Sequence, residues 1–197
     1  EWVALVQALN EYPDQNAADA IRLLLLTGAR LNEVLKAKWD MFDLQIGRWT
    51  KPSAHTKQNK LHAVPLNPPA VALLAKMNEE RDPENPYLFP GRTLSKSDEP
   101  KPRADDLKRP CEKVLAAAGI GELHRHDLRH SLASALVAER ISLMEVGKLL
   151  GHTQIATTMR YSHLADDPLR AATNKVGAKF AELEGRPKGD VVQMRKA

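Results

Sequence analysis

Apolar residues recur at helical spacing along almost the whole chain, and the one stretch where that period gives way to strand-like pieces lies between Trp39 and Leu66. A chain patterned in this way is confined to a mainly α fold with a small antiparallel β-sheet inserted early. The spacing predicts a helix over Asn16 to Thr27, stopped at Gly28, and a short apolar segment through Leu31, Val34 and Leu35 that ends near Trp39. Three β-favouring pieces follow, Met41 to Leu44, Arg48 to Thr50 and Leu61 to Leu66, separated by turn-rich residues. Pro68 and Pro69 open a helix reaching about Glu80, since proline is tolerated in a first turn. A proline-rich stretch over 82–104 reads as a long surface connection. Helices are expected again at 104–118, 127–140, 142–150 and 155–163, the third with Ser142 as N-cap, Glu145 at the capping-box position and Gly151 as its stop. Residues 168–183 permit helix, and Gly185 onward reads as a frayed tail.

The 197 residues are enough for one domain that buries a sizeable core without staples. The single cysteine, Cys111, cannot close an intramolecular disulfide, which excludes a secreted disulfide scaffold and favours a reducing, cytoplasmic setting. Apolar runs such as Leu23 to Leu26 fall far short of the roughly 18–20 residues of a membrane span. Glu1-Trp2-Val3-Ala4 has neither a starting methionine nor the basic-then-apolar order of a signal peptide, so the expectation is a piece of a longer protein. Net charge is +4, distributed as −3 over residues 1–29, +3 over 30–167 and +4 over 168–197. Such a balance suits a phosphate-binding surface, and many solvated surfaces share it.

The side chains worth testing sit at turns and helix ends. Arg30 follows Gly28 at the head of a helix, where amides and a guanidinium together suit an anion; the competing reading is a surface pair with Glu33. In His126-Asp127-Leu128-Arg129-His130, His126 and Arg129 are three apart and share a helix face. A zinc site built on His124, His126 and His130 is disfavoured: the HExxH glutamate and a cysteine pair are missing, and the intervening arginines repel a cation. His152 follows the Gly151 stop, and Tyr161, one of three tyrosines, ends a polar helical stretch; alone, each reads as readily as a packing or capping residue. Lys57, between two predicted strands, would alone be a solvated hairpin lysine.

In sequence order and context, however, Arg30, Lys57, His126, Arg129, His152 and Tyr161 resemble the catalytic set of the tyrosine recombinase (phage integrase) family. The matching stretches are Thr27-Gly28-Ala29-Arg30-Leu31-Asn32-Glu33-Val34-Leu35, Thr56-Lys57-Gln58-Asn59-Lys60 leading to Val64-Pro65-Leu66, His126-Asp127-Leu128-Arg129-His130, Leu150-Gly151-His152, and Tyr161. The resemblance extends to Tyr87-Leu88-Phe89-Pro90-Gly91-Arg92, and residues 163–170 look like the prophage and genomic-island branch. Two departures are Ala29, where a larger apolar residue is frequent, and a loop before Lys57 richer in polar residues, which leaves Lys60 as a competitor for the catalytic lysine.

The resemblance implies the tyrosine recombinase catalytic-domain fold over residues 1–185, with a disordered tail over 186–197 and an N-terminal DNA-binding domain outside this chain. It implies strand breakage and rejoining through a 3′-phosphotyrosyl intermediate, with no metal and no nucleotide cofactor. Tyr161 would attack phosphorus, and Arg30 and Arg129 would hold its nonbridging oxygens as planar, permanently charged donors. Lys57 would protonate the 5′-oxygen, His126 and His152 would share hydrogen bonding and proton transfer, and Glu33 would orient Arg30. Implied partners are double-stranded DNA, further copies forming a homotetramer on two DNA sites, and accessory DNA-bending or directionality proteins, all in a bacterial, DNA-associated cytoplasmic setting without a membrane. A type IB topoisomerase-like enzyme and a catalytically silent DNA-binding relative are the alternatives.

Overall fold

A computed structural model of the chain describes residues 2–52, 61–91, 107–121, 125–152, 154–162 and 168–183. Its centre is α2 (Gln15–Thr27), which follows α1 (Trp2–Glu11) and packs against α1, α4 (Pro68–Glu80), α5 (Lys108–Ala117) and α6 (Arg125–Ala138). Ala17, Ala18, Ala20, Ile21, Leu23 and Leu24 are all buried, so α2 is enclosed on most of its circumference. Small alanines let neighbouring helices approach, and the leucines fill the space between them. Asp14 caps the helix by accepting from the Ala17 N–H at 3.0 Å. Helix α1 was not anticipated from the sequence; it buries Leu5, Ala8 and Leu9 and leaves Trp2, Val3 and Val6 exposed, a narrow inward face on a short segment.

After α3 (Leu31–Leu35) and a 3-10 turn (Trp39–Met41), the expected sheet forms from β1 (Phe42–Asp43), β2 (Arg48–Lys51) and β3 (His62–Pro65). Its order is β1-β2-β3 with both pairings antiparallel, registering Phe42 with Trp49 and Trp49 with Val64. Strand alternation turns Trp49 and Lys51 inward. Trp49 is fully buried and stacks on Phe42 with ring centroids 5.1 Å apart.

The stretch beginning at residue 82 is not wholly a surface connection. Trp39 N–H donates to the Pro86 carbonyl at 3.0 Å and Leu88 N–H to the Ala37 carbonyl at 2.9 Å, which pins this strand-like turn to the segment after α3. With its backbone satisfied there, the turn can bury Leu88 and Phe89 in the main core.

Helices α7 (Leu143–Leu150) and α8 (Ile155–Met159) follow α6, and α9 (Pro168–Leu183) occupies the helix-permissive stretch. Ser142 and Glu145 form the expected capping box, and Gly151 ends α7 in the left-handed region at φ 66°. The core has two parts: a large one around α2 that includes Trp49, Leu74, Phe89 and Val114, and a small one of Ala133, Val137, Val146, Leu150 and Tyr161. The candidate site lies where these two parts meet.

Candidate active site

Two helix ends build the floor of the site. Helix α2 stops at Gly28, whose φ of 61° is left-handed and whose N–H donates to the Leu24 carbonyl. A Cβ at Gly28 would come within 2.6 Å of Leu150 Cδ2 and 2.7 Å of Leu132 Cδ2, so the left-handed turn favours glycine and any side chain there would have to displace the two leucine ends. Helix α7 stops at Gly151 in the same conformation, and a Cβ there would lie 2.9 Å from His62 Cε1. The Thr27-Gly28 and Leu150-Gly151 blocks are thus two turns against which side chains of neighbouring elements pack closely.

Arg129 joins them. Its two guanidinium Nη atoms donate to the Gly28 carbonyl and the Leu150 carbonyl at the buried C-terminal ends of α2 and α7, where the helices leave carbonyls without an intrahelical partner. The side chain is 6% exposed, and burial, reinforced by Arg30, brings its pKa down to about 10, which still leaves it charged at neutral pH.

Arg30 is the N-cap residue of α3, as its position predicted, but the helix-head amide is not open to an anion. Glu33 Oε2 already accepts the Arg30 N–H at 3.1 Å, while Glu33 Oε1 accepts from Arg30 Nη1 at 2.8 Å. The guanidinium therefore pairs with Glu33 yet stays partly open to solvent: it is 26% exposed and its Nη2 lies 3.5 Å from the Gly151 carbonyl. Glu33 has a second cation, Lys51, whose Nζ lies 2.7 Å from Oε2. Burial alone would raise the Glu33 pKa, but Lys51 and Arg30 outweigh it and hold the carboxyl below its ordinary value.

His152 immediately follows the Gly151 turn. Its Nδ1 lies 2.9 Å from Thr158 Oγ1, a fully buried hydroxyl on α8, and its N–H donates to the Gly147 carbonyl. Burial first, then Arg129, Arg30, Arg160 and His130, lower its pKa to about 4, so the imidazole is neutral at physiological pH. In the tautomer with its hydrogen on Nε2, the neutral ring accepts from Thr158 at Nδ1 and can donate from Nε2 to an anion beside the arginines.

Tyr161 ends the α8 turn and is 6% exposed, packed among Ala133, Val137, Val146 and Leu150. Its hydroxyl is held against His130 Nδ1, with the rings 5.9 Å apart and tilted by 47°. Burial raises its pKa, against the lowering influence of Arg160 and Arg129.

Arg30, Arg129 and His152 therefore converge at the α2 and α7 ends, and Tyr161 stands one helix away through His130. Lys57 and its competitor Lys60 lie outside the described residues; His126 lies in the first turn of α6, with its side chain outside them. Among the described residues no group of three or more His, Cys, Asp or Glu is arranged to hold a metal. His130, which the sequence offered as one member of a disfavoured metal site and as part of the family-matching stretch, faces Tyr161. Lys51 and His62 went unnoticed in the sequence. Alternation from Trp49 would have placed Lys51 on the inward face, but no local pattern marks His62, whose Nε2 lies 2.9 Å from the Lys148 carbonyl.

Among known proteins, tyrosine recombinase XerD of Rhizobium meliloti (strain 1021) is 34% identical to this chain over 154 residues, 76% of this chain and 47% of that protein. Tyrosine recombinase XerC of Azotobacter vinelandii (strain DJ / ATCC BAA-1303) is 34% identical over 151 residues, 73% of this chain and 46% of that protein. The chain thus spans about half the length of these curated relatives. Among solved structures, the pre-cleavage complex of the XerH site-specific recombinase bound to difH substrate superposes with a TM-score of 0.66 at 27% identity, covering 87% of this chain and 51% of that one. The catalytic domain of bacteriophage HP1 integrase shares the fold with a TM-score of 0.63 at 22% identity, covering 87% and 88%. The sequence model described as the phage integrase family matches residues 1–167, and with the arginines, histidine and tyrosine assembled as above, the chain belongs to the phage integrase (tyrosine recombinase) family.

Proposed function

We propose that this chain is the catalytic domain, over residues 1–185, of a site-specific recombinase that cuts and rejoins double-stranded DNA through a 3′-phosphotyrosyl intermediate at Tyr161. The observation that carries the reading is the convergence of Arg30, Arg129 and the neutral His152 at the joined ends of α2 and α7, with the hydroxyl of Tyr161 close by. Two guanidiniums and a neutral donor around one point suit a phosphodiester.

In the proposed step, Tyr161 Oη forms a bond to phosphorus, the P–O5′ bond breaks, and the tyrosine proton is released. The departing 5′-oxygen takes a proton from Lys57. Arg30 and Arg129 hold the nonbridging oxygens as charge builds on them, with the Nε2–H of His152 as a further donor and His126 sharing in proton transfer. Because Tyr161 is 6% exposed and rests on His130, its ring turns outward to reach DNA. Rejoining reverses the step and conserves the bond energy. Double-stranded DNA is the partner; the whole protein, with an N-terminal DNA-binding domain, acts as a homotetramer on two sites, with accessory DNA-bending or directionality proteins, in the bacterial cytoplasm. Among the described residues no helix is long and apolar enough to cross a membrane.

The test is a covalent-adduct trap with the full-length protein and DNA spanning the ends of the element that encodes it, denatured and mapped by mass spectrometry. A DNA-linked peptide containing Tyr161, absent from Tyr161→Phe, is expected. No adduct on DNA that the protein binds would favour a silent DNA-binding relative, and relaxation of supercoils without exchange a topoisomerase-like enzyme. Lys57→Ala should lose cleavage of ordinary DNA and regain it on a substrate with sulfur at the bridging 5′ position, a leaving group that needs little protonation. Rescue of Lys60→Ala in its place would transfer the role to Lys60.

A further inference from the structure

Lys51 stands on the inward face of β2 with its side chain 3% exposed. A buried ammonium is costly unless it is paired, and a long apolar side chain would fill the same space more cheaply. Packing therefore does not explain a lysine here. Its Nζ lies 4.5 Å from the centroid of the Trp49 ring and 2.7 Å from Glu33 Oε2, whose side chain is also 3% exposed. The other Glu33 oxygen holds Arg30 Nη1 at 2.8 Å. A single buried carboxylate is thus gripped on one side by Lys51 and itself grips, on the other, the partly exposed Arg30.

The charge count gives the same direction. Glu33 on its own would cancel half of the charge that Arg30 and Arg129 bring to a phosphate. Lys51 compensates for it, so that Arg30, Arg129, Lys51 and Glu33 together carry +2. The ionisable groups facing Lys51 are Glu33, Arg129 and Arg30, with His62 from β3.

We propose that Lys51 is a positioning residue of the active site: by fixing the ionised carboxylate of Glu33 it holds the Arg30 guanidinium in the orientation that receives the scissile phosphate. This rests on the function proposed above. Lys51 is not the acid for the leaving group, because its ammonium is enclosed by Glu33 and Trp49 and does not reach solvent. Without Lys51, Glu33 keeps Arg30 as its one ion-pair partner among the described residues and remains buried, so its pKa rises and it takes up a proton at higher pH than in the wild type. A protonated Glu33 no longer forms the ion pair that orients Arg30.

The test uses the full-length protein and a nicked duplex carrying the cleavage site mapped by the adduct trap, with single-turnover rates referred to folded protein. Lys51→Met is expected to slow cleavage by about 10- to 100-fold, the range seen when a supporting group behind an active-site ligand is removed, with little change in duplex Kd. It should also acquire a loss of rate toward acid pH that the wild type lacks, and sulfur at the bridging 5′ position should not rescue it. Glu33→Gln should lose a similar factor, and the double variant no more than either single one. An unchanged rate in Lys51→Met, rescue by sulfur, or losses that multiply in the double variant would overturn the proposal. If Lys51→Met does not fold, Lys51→Arg and Glu33→Gln decide: the proposal requires Lys51→Arg to keep most of the rate and Glu33→Gln to lose it, and any other pair of results overturns it. Absence of a Tyr161 adduct in the wild type would bring down the functional reading and this proposal together, whereas a normal adduct with an indifferent Lys51→Met brings down the proposal alone.

Discussion

The side chains of this site are set by what surrounds them more than by their own chemistry. His152 is the clearest case, because burial and three nearby arginines bring its pKa to about 4. A histidine with a folded-state pKa below its unfolded value of about 6.5 stabilises the fold fully above that value and loses the contribution as pH falls toward 4. Urea unfolding at pH 7 and pH 5 should therefore show wild type losing more stability than His152→Gln over that interval. The ring resonances of His152 should titrate near 4 by NMR. Titration of His152 near pH 6.5 would show that the arginines do not act on it as the structure indicates. Arg129 illustrates the same dependence: its planar fork spans two helix-end carbonyls, a task that the point charge of a lysine could not perform.

At the scale of the element, two glycine stops do the joining. Gly28 combines a left-handed backbone with contact to Leu132 and Leu150, and its carbonyl accepts from Arg129. Gly28→Ala is expected to cost about 1–2 kcal/mol for the left-handed backbone, and about 1–3 kcal/mol more for overpacking two leucines. The check is a denaturant titration, with cleavage falling alongside stability because the α2 and α7 ends carry Arg129 between them. A Gly28→Ala protein with wild-type stability would mean that α7 does not approach α2 this closely. The β2 strand contributes a different element-scale effect, since its alternation turns Lys51 inward beside Glu33.

At the scale of the whole molecule, the charge rises from −3 over residues 1–29 to +4 over 168–197. A protein that neutralises phosphates with lysine and arginine releases counterions, so log Kd for duplex should rise linearly with log salt concentration. Tyr161→Phe should leave that slope unchanged, since it removes the proposed nucleophile and no charge. Titrations at several salt concentrations check this; a salt-independent Kd would argue against a phosphate-binding surface.

The sequence by itself determined the class of fold, because the helical period and its one interruption leave few ways to bury the apolar residues. It determined the order of sheet and helices, the capping box at Ser142 and the glycine stops, all of which are local signals. It also carried the motif order that names the family, since Arg30, Arg129, His152 and Tyr161 are each embedded in a recognisable neighbourhood. Helix α1 escaped it, because ten residues burying only Leu5, Ala8 and Leu9 make a weak pattern. Only the tertiary structure decided that Glu33 occupies the helix-head amide of Arg30, that Arg129 bridges Gly28 and Leu150, and that Tyr161 rests on His130. It alone brought Lys51 to Glu33, 18 residues away in the chain. Periodicity reports which face a residue turns inward; which charge waits for it there depends on how separate elements meet.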